Sequence, residues 1–145
     1  MKIVSLFCLV CWLPTIAMAK TNSMVPIAEE IYDECSEFSM AGIHECLQKK
    51  RDESQRKLAQ AEAYVNTMLS RWDVEDQYIA QAKSHFAIDK QEFINYRAAH
   101  CLFIKSLGAS GIGNALEIRE YACVAALNYR RIAQLREAVS QSQLK

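Results

Sequence analysis

The sequence predicts an all-α fold, a small antiparallel helical bundle stapled by two disulfides. Three observations predict it. Beyond residue 19 only Pro26, Gly42, Gly108, Gly111 and Gly113 punctuate the chain, too few for the frequent turns of an all-β domain. Apolar residues recur at spacings of three and four over long stretches, the period of a helix with one buried face. Four cysteines, Cys35, Cys46, Cys101 and Cys123, follow an apparent export signal, and an even number of cysteines in an oxidising compartment is the setting of structural disulfides.

The export signal is expected over residues 1–19. Lys2 gives a short positive start, Ile3 to Ile16 an apolar run broken by Pro14, and Ala17-Met18-Ala19 a small-x-small cleavage site before Lys20. A spanning helix needs about 20 apolar residues, and this run is shorter. Cys8 and Cys11 lack the small residue a lipidation signal places ahead of its cysteine. The expected mature chain, residues 20–145, is one domain, long enough to bury a core. Loss of Lys2 takes the 17 basic residues to 16, against 17 acidic. That balance argues against a nucleic-acid or anionic-membrane binder, which needs a basic excess. No second apolar run is long enough to span a membrane.

A short first helix is expected from about Pro26, with Ile27, Ile31 and Cys35 on one face and Glu29, Glu30, Asp33 and Glu34 on the other. Glu37 to Ser39 reads as a turn. The second helix is expected from about Ser39 to Trp72, its apolar series running Met40, Ile43, Leu47, Leu58, Ala61, Val65, Met68 and Trp72. The charged interval Lys49 to Lys57 reads as a projecting or solvent-facing stretch rather than core. After an interruption at Asp73 to Asp76, a third helix is expected to Ser106. Ile79, Ala82, Phe86, Phe93, Ile94, Arg97, Cys101 and Ile104 lie near its stripe, with a break or kink marked at Ala87-Ile88-Asp89. Gly108 to Gly113 is the one flexible loop. Asn114 then suits an N-cap, with Glu117 three residues on as a loose capping box. The fourth helix carries Ile118, Ala122, Ala125, Tyr129, Ile132, Arg136 and Val139.

Four cysteines allow three pairings, and counting alone does not choose among them. Cys35–Cys46 with Cys101–Cys123 is expected because each pair closes one turn region. Cys101 lies seven residues before Gly108 and Cys123 ten after Gly113, similar distances along two antiparallel arms. Each such clip contributes about 3 kcal/mol by restricting the unfolded chain. A zinc site would ask for close C-x-x-C pairs, and there are none.

The sequence offers little chemistry. It has no nucleophile elbow, phosphate loop, H-E-x-x-H or haem-attachment motif. His44, His85 and His100 are far apart and read as surface or half-buried side chains. The chain therefore reads as a non-enzyme with no cofactor and no metal. Binding is the remaining class. The acidic residues from Glu29 to Glu37 read as a solvated face or as a surface that steers a cationic partner. The loop residues Gly108, Ser110, Gly111, Ile112 and Gly113 read as a plain connection or as a tip that meets a protein partner.

Phe93-x-x-Tyr96-Arg97-x-x-x-Cys101, a glycine-containing loop, then Cys123 and Arg131-x-x-x-Leu135 together resemble the lysozyme inhibitor LprI-like domain family, over about Cys35 to Leu135. The family commonly has Trp at Phe93, an acidic residue at Ala98 and Thr at Asn128, so the resemblance is that of a divergent member. The resemblance implies a periplasmic or secreted protein that binds a lysozyme-type cell-wall hydrolase. An immunity protein that neutralises a toxic effector delivered into the periplasm has the same features. Phe93, Tyr96, Arg97 and Arg131 read as structural anchors, the two arginines pairing with acidic or carbonyl groups between helices.

Overall fold

A computed structural model describes residues 25–108, 111 and 113–142; the expected export signal lies outside the described residues. Among them there are four helices, α1 (Ala28–Asp33), α2 (Met40–Ser70), α3 (Asp76–Ser106) and α4 (Asn114–Ser142), and no strand. The fold is the all-α, disulfide-stapled bundle the sequence predicts. None of the helices is long and apolar enough to cross a membrane.

Local chemistry sets the helix starts. The Glu30 carboxylate reaches back to the Ile27 N–H at 3.1 Å, satisfying one orphan donor of α1. The Ser39 hydroxyl accepts from the Gly42 N–H and caps α2. Before α4, Gly113 adopts φ +59, the left-handed region that glycine enters without a Cβ clash. The Glu117 carboxylate in the first turn of α4 lies 2.6 Å from the His44 ring on α2.

The helices run up, down and up, and α4 is the spine. The pairs His44–Glu117 and Ser54–Asn128 are separated by 73 and 74 residues. A near-constant offset means that α2 and α4 lie parallel, although each is antiparallel to α3 between them in sequence. Ala122, Ala125 and Ala126 are buried on α4 and present little side chain toward the first half of α2, which lets the two helices approach closely. The contact between α2 and α4 is the most extensive of the fold; α3 packs chiefly on α4 and barely touches α2.

The core falls into three parts. Ile31, Cys35, Ile43, Leu47, Ile118 and the α4 alanines fill the end nearest α1. Leu58, Ala61, Val65, Ile132, Leu135 and Val139 fill the other end, backed by Phe86 and Phe93 of α3. Cys101, Cys123 and Leu127 make a smaller cluster between α3 and α4. Cys35 is joined to Cys46 and Cys101 to Cys123.

Several sequence expectations change. The charged interval Lys49 to Lys57 does not project, since α2 runs through it unbroken; Lys49 and Gln55 to Lys57 face solvent as expected, but Ser54 within it is fully buried. Ser54 was missed because a hydroxyl carries no hydrophobic signal. α3 shows no break at Ala87 to Asp89. Met40, Trp72 and Ile94, counted toward buried stripes, are exposed. Met40 and Trp72 stand at helix ends, and Ile94 is turned off the face that α3 lays on α4. Cys101 is the only residue of α3 that is buried outright.

Candidate functional site

Between the two main apolar clusters lies a polar layer that ties the three long helices together. Asn128 of α4 is fully buried. Its amide nitrogen donates to the Ser54 hydroxyl at 2.9 Å, and its carbonyl oxygen accepts from the Arg97 guanidinium at 2.5 Å. Ser54 in turn donates to the Arg51 carbonyl at 2.6 Å. Every polar atom of the Ser54–Asn128 pair facing the interior thus has a partner, which is what burial of such groups demands.

The anchor residues divide into two kinds. The guanidiniums of Arg97 and Arg131 each sit over the Phe93 ring, 5.5 Å from its centroid, within the reach of cation–π attraction. Arg97 takes the Asn128 carbonyl oxygen and Arg131 takes the Asp89 carboxylate. Burial pushes both guanidiniums below their usual values, with the Glu62 carboxylate opposing. Glu62 itself pairs with Lys90 at 2.8 Å across α2 and α3. Tyr96 is placed differently: it is 53% exposed and stacks on the His100 ring at 5.5 Å.

His44, Glu117, Tyr121 and Arg51 form a second polar group near the start of α4. The His44 and Tyr121 rings are 5.3 Å apart, and the Arg51 guanidinium sits 4.4 Å over the Tyr121 ring. Hydrogen bonding to His44 holds the Glu117 carboxyl below the ordinary glutamate range. Nothing in this group is a nucleophile with a base beside it. No three His, Cys, Asp or Glu side chains among the described residues converge to hold a metal ion.

Both disulfides brace the same end of the molecule. Cys35–Cys46 ties the turn after α1 to α2, and Cys101–Cys123 ties α3 to α4. At this end an open groove of about 540 Å³ is bounded by α1, the first residue of α2, the end of α3 and the first turns of α4. Of the loop residues singled out in the sequence, Gly108 and Gly111 line this groove. Gly113 does not, and Ser110 and Ile112 lie outside the described residues. Gly108 is closely covered: a Cβ there would fall 2.9 Å from Leu116 Cδ2 and 3.1 Å from Arg119 Nε. Glu29, from the acidic element singled out in the sequence, lines it too, whereas sequence reasoning missed the other walls, Tyr32 of α1, Met40, Leu107 and Arg119. The disulfide between Cys35 and Cys46 was the available signal, since it draws α1 against the bundle.

Residues 33–135 match the model of the family described as Lysozyme inhibitor LprI, a stretch that holds all four paired cysteines and Phe93, Arg97 and Arg131. No match is found among curated proteins or solved structures.

Proposed function

The chain belongs to the lysozyme inhibitor LprI family, and from that premise we propose that its mature form is a non-catalytic protein of the periplasm that binds and inhibits a lysozyme-type cell-wall hydrolase. The observation that carries this reading is the extent of the family match, which runs from the last residue of α1 to Leu135 of α4 and takes in both disulfides. The shape of the molecule supports it. Its braced end carries an open apolar groove. A protein-facing surface fixed by cross-links loses little conformational freedom on binding.

The test is direct. Oxidised residues 20–145, added in increasing amounts to lysozymes of several classes on a cell-wall substrate, slow lysis until the inhibitor matches the enzyme. No slowing of any of them at large molar excess removes the reading. The location is tested separately by fractionating expressing cells and reading the intact mass: a periplasmic species starting at Lys20 is expected, and a cytoplasmic species retaining residues 1–19 contradicts it.

A further inference from the structure

We propose that the groove at the glycine-loop end is the docking site for a protruding segment of the protein partner that presents a large apolar side chain next to a basic one. The proposal rests on the protein-binding reading above and adds to it the surface and the chemistry of what the surface takes.

The groove has an apolar floor and an apolar rim. Ile104, Ile118 and Ala122 form the floor; Tyr32, Met40 and Leu107 stand at the rim, exposed to 37%, 55% and 61%. Phe103, one helical turn before Leu107 on α3, is exposed to a similar degree, 57%. Single exposed apolar residues are ordinary, but a contiguous group around a concavity marks an interaction site. A small-molecule site gathers several convergent polar groups to orient its ligand. Among the described residues this groove has only two charged lining side chains, Glu29 and Arg119, and its mouth is broad, which suits a side chain delivered on a polypeptide.

Charge selects what accompanies that side chain. Glu29 lines the groove and Asp33 follows one helical turn later on α1; neither is in an ion pair among the described residues. A cation beside the inserted apolar group meets this wall. On the opposite side Arg119 crosses Gly108, where its guanidinium can donate to a backbone carbonyl of the incoming segment. The two disulfides hold these walls in register before the partner arrives.

The test uses oxidised residues 20–145, amide chemical shifts, and two capped tripeptides, acetyl-Arg-Leu-Arg-amide and acetyl-Glu-Leu-Glu-amide. The basic peptide shifts the amides of Tyr32, Leu107, Ile118 and Ala122 in a saturable way, and the acidic one binds at least about tenfold more weakly. Leu107→Glu removes the response, and Glu29→Lys reverses the preference between peptides; both positions are open enough for the fold to survive, which helical circular dichroism verifies. Absent shifts, shifts centred elsewhere, or equal response to both peptides overturns the proposal. Lysozyme assays with the same variants separate it from the broader reading. Inhibition by the parent chain that Leu107→Glu and Glu29→Lys leave intact sinks the groove alone. Saturable peptide binding without inhibition of any lysozyme sinks the inhibitor reading alone.

Discussion

Replacing Asn128 by alanine tests whether the buried polar layer holds the three long helices together. The substitution removes the acceptor for Arg97 at 2.5 Å and the donor to Ser54 at 2.9 Å. A hydrogen bond to a charged group contributes about 1.5–3 kcal/mol and a neutral one about 1 kcal/mol. Ser54 keeps its bond to the Arg51 carbonyl, and the half-buried Arg97 recovers part of its loss by turning toward water. The expected cost is therefore about 3 kcal/mol, before any addition for the space left where the side chain was. Urea unfolding of the oxidised chain reads it as a midpoint lowered by about 1–2 M with the slope unchanged. Ser54→Ala should cost about 1 kcal/mol, and the double variant less than the two single losses together, because both remove the same bond. A cost for Asn128→Ala below about 0.5 kcal/mol, the range of an ordinary surface change, would refute the claim that this layer is cohesive.

Three further outcomes are expected. Replacing Cys101 and Cys123 together by alanine lowers stability by about 3 kcal/mol, and the Cys35–Cys46 pair by slightly less because its loop is shorter, 11 against 22 residues; equal stability of oxidised and reduced chains in urea would contradict both. The depressed Glu117 carboxyl contributes stability that is present above the ordinary glutamate value of 4.5 and lost as pH falls through its lower folded value. The melting temperature of Glu117→Gln should consequently fall less steeply than that of the parent below about pH 4.5, and parallel curves would discount the His44–Glu117 pair. Gly113→Ala should destabilise by about 1 kcal/mol through backbone strain alone; a Cβ there meets nothing within 4 Å, so a larger loss with the backbone unchanged would point to a contact the structure does not have.

Much of the fold was readable from residue order. The scarcity of glycine and proline, the helical spacing of apolar residues and the matched arm lengths on either side of Gly108 to Gly113 point to long helices joined by short turns. What could not be read was which helices lie side by side. Parallel packing of α2 on α4 is decided by the alanines of one helix facing the leucine and isoleucine of the other across more than seventy residues, and periodicity within a helix carries no information about its neighbour. The same reason hid Ser54, which sits among charges, and Asn128, which follows Ala125, Ala126 and Leu127 as though it were a lapse in an apolar run. α3 deceived in the opposite direction. Its apolar residues outnumber the positions one packed face can cover, so Ile88, Ile94, Leu102 and Phe103 remain at the surface. The groove was legible only in fragments, because its walls come from all four helices.

The central place of α4 bears on the order in which the molecule can assemble. Chains are made from the N-terminus, and this spine is synthesised last. Until it emerges, the apolar faces of α2 and α3 have almost nothing to cover, since those two helices barely meet, and most helical stability in a protein comes from packing an amphipathic face. Cys35 can find Cys46 early, across 11 residues, but Cys101 gains its partner only when the start of α4 is complete. A chain arranged this way postpones its own closure. All three core clusters close only once the final helix is delivered, because each takes residues from it.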